Sequence, residues 1–210
     1  MYKVEYDKPE RILDIAKNSK EIIVDLAYAN TNNFTGEIVP GYLKNTAYLD
    51  SKALEALLLA NKYFLNRNLT LYIFDAYRPV SSVEYFYNDW RIKPESVKNK
   101  NKYYPNLSKD ELFRKGLIAK KSSHSRCSTI DLTLFDLKTN LKVDMGTNFD
   151  FYDSKSETFS TLISEIHQKN RILLKQGMEK FGFINYVKEW WHYRLDDEFF
   201  KDTYFDFKIN

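Results

Sequence analysis

Cysteine is almost missing from this chain of 210 residues: Cys127 stands alone. That excludes an intramolecular disulfide framework and fits a reducing compartment. Long apolar runs are missing as well. No stretch approaches the ~18 residues that cross a bilayer, and the opening Met-Tyr-Lys-Val-Glu-Tyr-Asp-Lys-Pro-Glu has no apolar leader core. The expectation is a cytoplasmic protein with no membrane partner. An excess of one charge is absent too, because 32 basic and 29 acidic residues leave +3 spread along the chain. Nucleic acid and anionic surfaces are therefore not indicated. Repeats and low-complexity segments are lacking, and 43% hydrophobic with 29% charged residues is the balance of a folded chain.

Aromatic residues are abundant, with 16 Tyr, 15 Phe and 3 Trp, whose apolar bodies and polar edges suit both a core and a pocket wall. The length allows a sizeable core and makes one domain over residues 1–210 the expectation.

Histidine is scarce, and two of the three sit in chemically suggestive surroundings. Ser122-Ser-His-Ser-Arg-Cys-Ser-Thr-Ile-Asp131 places His124 and Asp131 seven apart, leading into the alternating apolar run Ile130, Leu132 and Leu134. That run reads as a strand buried on one face. Glu189-Trp-Trp-His192 adds a second imidazole preceded by a carboxylate. Two imidazoles and one carboxylate are a full protein ligand set for a catalytic zinc, with a fourth position open for water. Glu189 would then be free to act as a base. On spacing alone a second reading stays open, in which both histidines are ordinary residues satisfied by backbone hydrogen bonds. His167, beside Gln168-Lys-Asn, is expected to be exposed.

Along the chain, Ile12–Ala16 reads as a short helix and Glu21–Tyr28 as a strand, followed by a turn-rich loop at 29–36. Asp50 or Ser51 caps a core helix running to Leu65. Leu69–Arg78 is an apolar strand whose final arginine is held extended by Pro79, so that the guanidinium projects from the strand end. Val80–Trp90 reads as a helix and residues 93–105 as a polar loop. Ser108-Lys-Asp-Glu111 is a capping box, with Gly116 closing its helix. Asp144–Asp150 is a loop carrying carboxylates that turn formation alone explains. A long helix is expected from Ser156, with Gly177 and Gly182 punctuating its end. Glu189 and His192 lie three apart, so they converge only through a turn or bulge. The order of elements reads as α+β.

Five blocks occur in order: Asn33-Phe-Thr-Gly36, Asp75-Ala-Tyr-Arg-Pro79, Ser122 to Leu134, Asp144-Met-Gly-Thr-Asn-Phe-Asp150 and Glu189-Trp-Trp-His-Tyr193. In these the chain resembles the zinc D-alanyl-D-alanine dipeptidases of the vancomycin-resistance VanX type. They belong to a wider D,D-peptidase family that also holds carboxypeptidases and endolysin peptidases. The resemblance implies a central, mainly antiparallel sheet flanked by helices, with the zinc site at the sheet. It also implies one zinc held by His124, Asp131 and His192, with Glu189 as catalytic base and Arg78 stabilising the oxyanion. Ser122 and Asp150 would hold the charged ends of a small D,D-dipeptide. One position departs from the family block, which usually has glycine where Cys127 stands. The turn there is expected to avoid backbone angles that only glycine tolerates.

Three rival readings accompany this one: a D,D-carboxypeptidase or wall endopeptidase of the same family, a non-catalytic wall-peptide binding module, and a cysteine hydrolase built on Cys127, His124 and Asp131. Retention of Glu189 counts against pure binding. The cysteine reading leaves Glu189, His192 and Arg78 without roles.

Overall fold

Strand β6 (Thr129–Asp136) is the axis of the molecule, and all six residues from Thr129 to Leu134 are buried. The expectation of a strand buried on one face is therefore corrected. Ile130, Leu132 and Leu134 supply one apolar face, while Asp131 and Thr133 alternate with them on a second face that is also covered.

The computed structural model describes residues 2–210. Before β6 come β1 (Lys3–Glu5), β2 (Ile12–Asp14), α1 (Ile15–Asn18), β3 (Ile23–Val24), β4 (Tyr48–Asp50), α2 (Ser51–Leu65), β5 (Leu69–Asp75), α3 (Val80–Asn88), α4 (Val97–Tyr103) and α5 (Lys109–Arg114). After it come β7 (Leu141–Lys142), α6 (Glu165–Glu179), β8 (Phe183–Asn185), β9 (His192–Leu195) and β10 (Thr203–Phe205). The main sheet runs β3-β5-β6-β9-β8, with β7 added to β6. It is mixed: β3 lies parallel to β5, whereas β5, β6, β7, β9 and β8 pair antiparallel. Two small pairs, parallel β1-β10 and antiparallel β2-β4, complete the α+β arrangement.

Asp50 rather than Ser51 caps α2, accepting hydrogen bonds from the amides of Lys52 and Ala53. The helix buries Leu54, Leu57, Ala60 and Phe64, packing on β5 and on α6. Gly177 lies inside α6 rather than ending it, because a Cβ there would sit 2.1 Å from the ring of Phe64. Only glycine lets the two helices approach so closely.

Several local expectations give way to long-range pairing. Ile12–Asp14 is a strand because it finds β4, and α1 starts only after Asp14, which caps it. Of the strand expected over Glu21–Tyr28, only Ile23 and Val24 find a partner in β5. Residues 97–103 form a helix capped by Ser96, where a loop was expected. The expected long helix from Ser156 begins at Glu165 instead, and Phe159 and Leu162 are exposed in the preceding loop. The capping box at Ser108 and Glu111 forms as read.

Candidate active site

Three neighbouring strands bring Asp75, Asp131 and His192 into one row. Asp131 of β6 lies directly opposite His192 of β9 and opposite Asp75 of β5, and directly opposed residues project to the same face. The β5–β6 register shifts between Ile73 and Asp75. His124 joins the row from a 3-10 turn, Ser123–Arg126, that enters β6. It therefore stands before the strand and not on it.

The donor atoms of three side chains converge. His124 Nε2 is 3.2 Å from Asp131 Oδ2 and 3.3 Å from His192 Nδ1, and His192 Nδ1 is 3.0 Å from Asp131 Oδ1. A tetrahedral ion with bonds of about 2.0–2.1 Å separates its donors by about 3.3–3.4 Å, close to this triangle. Among the described residues, His124, Asp131 and His192 are the group that could hold a metal ion. His124 is oriented for the task, since its Nδ1–H donates to the Ala76 carbonyl at 2.6 Å and leaves Nε2 free as a ligand. Burial alone would push the Asp131 carboxyl up, but the two imidazoles outweigh it and hold the group well below the usual range. Burial also lowers the proton affinity of His192, which favours the neutral, ligating imidazole.

The expected irregularity before His192 is present. Turns close from the Glu189 amide to the Tyr186 carbonyl and from the His192 amide to the Glu189 carbonyl. Asn185 staples them, its amide donating to the carbonyls of Glu189 and His192 while Thr158 donates to its oxygen. Trp190 turns away from the cavity and donates to Thr147. Glu189 is thereby turned back toward the donor triangle, with Oε2 3.7 Å from His192 Nδ1. Burial, then the charges of Asp131 and Asp150, push its carboxyl well above the ordinary range.

A cavity of about 300 Å³ is lined by the donor triangle, by Glu189 and by Asp150, 3% exposed. Its Oδ2 accepts from Tyr28 at 2.8 Å and its Oδ1 from Tyr152 at 3.0 Å. Among the described residues it has no ion-pair partner, and burial followed by the Asp131 charge raises its pKa to about 7. The loop that presents it is clamped by buried Arg171, which donates to the carbonyls of Met145, Lys155 and Glu157. Asp150 itself takes φ +58, an angle tolerated more readily by aspartate than by branched residues.

Arg78 and Ser122 line the same cavity. The Arg78 guanidinium is 2.9 Å from Asp75 Oδ2 and 3.5 Å from Asp131 Oδ2, and packs over the ring of Tyr28. The Ser122 hydroxyl accepts from the His124 amide at 3.3 Å, so it also caps the turn that carries the histidine. His167 stands apart and is partly buried rather than exposed, between Ser164 and Asp144.

Cys127 overturns an expectation. It adopts φ +62 and ψ 20, the left-handed region that a glycine would occupy without penalty, at a cost of about 1–3 kcal/mol. Its thiol is fully buried and its pKa is pushed up by burial, then by Asp50. It is no member of the donor group. A cysteine nucleophile needs the opposite conditions, exposure and a lowered pKa.

The tyrosines that hold Asp150, together with Asp75 and its partner Tyr42, are functional neighbours that sequence reasoning passed over. Tyr28 lies just before the turn-rich loop at 29–36. That loop contributes Phe34 to the cavity wall and is folded around Asn33, which donates to three carbonyls.

A profile of the Peptidase M15 family, described as D-ala-D-ala dipeptidase, matches residues 8–210. The D-alanyl-D-alanine dipeptidase of Enterococcus faecalis is 44% identical over 186 residues, covering 89% of this chain and 92% of that protein. The D-alanyl-D-alanine dipeptidase of Enterococcus faecium is 42% identical, with 88% and 91% covered. That of Streptomyces coelicolor is 38% identical, with the same coverage.

Proposed function

The chain belongs to the Peptidase M15 family of D-Ala-D-Ala dipeptidases, and from that membership we propose that it is a cytoplasmic zinc enzyme hydrolysing free D-Ala-D-Ala to two D-alanines. The observation that carries this reading is the juxtaposition of an open three-donor triangle with a buried base at 3.7 Å and a buried carboxylate lining the same cavity, which has no ion-pair partner among the described residues. Among the described residues no helix is long and apolar enough to cross a membrane.

His124, Asp131 and His192 would hold the zinc, which when bound acidifies an attacking water and polarises the scissile carbonyl. Glu189 takes the proton of the attacking water and returns it to the leaving amine. Its buried setting, with the charges of Asp131 and Asp150, makes it more basic than an ordinary carboxylate. Arg78 donates to the carbonyl oxygen as negative charge develops, a contribution worth about 3–4 kcal/mol at comparable sites. Asp150 receives the free ammonium of the dipeptide. Tyr28 and Tyr152 orient both of its oxygens, so the carboxylate is set before substrate arrives. Ser122, at the edge of the His124 turn, binds the other charged end.

The ammonium contact also discriminates between the family's activities. A carboxypeptidase or endopeptidase substrate has an amide where the dipeptide has its charge, and that neutral amide leaves desolvated Asp150 without a counter-charge. The test is a comparison of free D-Ala-D-Ala, its N-acetyl form and a pentapeptide with the zinc-loaded protein. Hydrolysis of the free dipeptide with only slow turnover of the acetylated form and the pentapeptide, abolished by chelation and restored by zinc, is the expected result. Equal rates on the free and acetylated forms would replace the dipeptidase by the carboxypeptidase reading.

A further inference from the structure

Arg78 faces a choice between two carboxylates. Its Nη2 is 2.9 Å from Asp75 Oδ2 and 3.5 Å from Asp131 Oδ2, and its Nε donates to Asp75 Oδ2 at 2.9 Å. A guanidinium drawn fully onto Asp131 would compete with the ion for that ligand and would turn away from the substrate. Nη1 has no protein partner among the described residues, so it remains available toward the cavity.

Asp75 is fully buried, and its second oxygen is also committed, because Oδ1 accepts from the Tyr42 hydroxyl at 2.7 Å. Tyr42 is itself 2% exposed and edge-on to Tyr28. The carboxylate is thus fixed at both oxygens in a dry site, the condition under which an ion pair holds its geometry best. The next residue contributes as well, since the Ala76 carbonyl fixes His124 Nδ1 at 2.6 Å. One dipeptide therefore aims the guanidinium with its side chain and a donor imidazole with its backbone.

The strand irregularity explains how Asp75 comes to be there. Ile73 pairs with Leu132, so a regular antiparallel ladder would set Phe74 opposite Asp131 and Asp75 opposite Ile130. The extra residue between Ile73 and Asp75 instead sets Asp75 opposite Asp131. A one-residue slip moves a side chain to the other face of the sheet, and bulges re-aim side chains beside active sites.

We propose that Asp75, locked by Tyr42, is a positioning residue for the hydrolysis: it draws Arg78 off Asp131 and aims its free amino group at the developing oxyanion. This rests on the hydrolytic reading above. The test is a double-mutant cycle on zinc-loaded protein, with kcat, KM and metal content measured for each variant. Asp75→Asn is expected to lower kcat at least about tenfold with little change in KM and full zinc occupancy, since misplacing a catalytic group by about 1 Å costs up to about 100-fold. Tyr42→Phe frees one oxygen of Asp75 and is expected to lower kcat about two- to fivefold. It serves as the readout should Asp75→Asn fail to fold. In an Arg78→Ala background both substitutions should cost less than about twofold, because the residue they position is gone. If Arg78→Ala lowers kcat but the Asp75 and Tyr42 substitutions add to it in full, Asp75 is not acting through Arg78 and the inference falls. If Arg78→Ala leaves kcat unchanged, the fault lies with the oxyanion role in the hydrolytic reading.

Discussion

Asp131 and Asp150 are both buried aspartates facing one cavity, 2% and 3% exposed, yet their surroundings drive them in opposite directions. Burial raises both. At Asp131 two imidazoles within hydrogen-bonding reach reverse that rise. At Asp150 burial and then the Asp131 charge outweigh the two tyrosine hydroxyls that donate to it and the more distant charge of Arg78, and the pKa stays at about 7. The comparison teaches that neighbours rather than burial set what a carboxylate can do. Asp131 is already compensated and suits a permanent ligand to an ion. Asp150 has no ion-pair partner among the described residues, which in the proposed reading leaves its place to a substrate ammonium.

The most damaging changes should be on the Asp131 side. His124→Ala or His192→Ala is expected to lose the metal and reduce turnover to background, which elemental analysis and a D-alanine release assay would show. Full occupancy in either variant would remove that residue from the ligand set. Glu189→Gln keeps the shape of the base without its proton acceptor. It should retain zinc and lose about 10²–10⁴-fold in kcat, and near-normal kcat would strip Glu189 of its role.

At Asp150 the effect should be smaller and selective. Asp150→Asn is expected to lower kcat/KM for the free dipeptide by about one to two orders of magnitude, the worth of a charge-assisted contact. The rate on N-acetyl-D-Ala-D-Ala should not fall, and a parallel loss on both substrates would mean that Asp150 supports the fold and not recognition.

A pH profile sharpens the contrast further. Because Asp150 is raised to about 7, its ionised form gains population as pH rises through that value, and kcat/KM for the free dipeptide should climb with it. The sign for stability is the reverse. A raised carboxyl favours the folded state fully below its unfolded pKa of about 3.9, and that contribution is lost as pH rises through about 7. Asp150→Asn should therefore lose the falling limb in a urea titration series. Tyr152→Phe removes one donor to the ionised form and should displace the kinetic limb to higher pH, with a few-fold effect at pH 7. An unmoved limb would mean that another group titrates there. The smallest change expected is for Cys127→Ala, whose buried thiol touches neither carboxylate, with kcat and KM unaltered.

Local chemistry made much of this protein legible from sequence. The capping residues Asp50 and Ser108, the apolar runs of β5 and β6 and the turn between Glu189 and His192 follow from interactions within a few residues. Scarcity drew attention to His124 and His192, and the motif resemblance tied them to Asp131. What lay beyond sequence depends on partners far along the chain. Ile12–Asp14 is a strand only because β4 lies beside it, and β3 lies parallel to β5, so the sheet is mixed. Cys127 holds a glycine-like angle because the turn into β6 demands it and the core encloses its side chain. The tyrosines around Asp150 come from 122 residues upstream and 2 downstream, and Tyr42 reaches Asp75 across 33. Residue types and near-neighbour spacing reveal which groups can do chemistry. How strongly each holds its proton, and which way each points, depends on desolvation and on atoms that only the folded chain brings within about 3 Å.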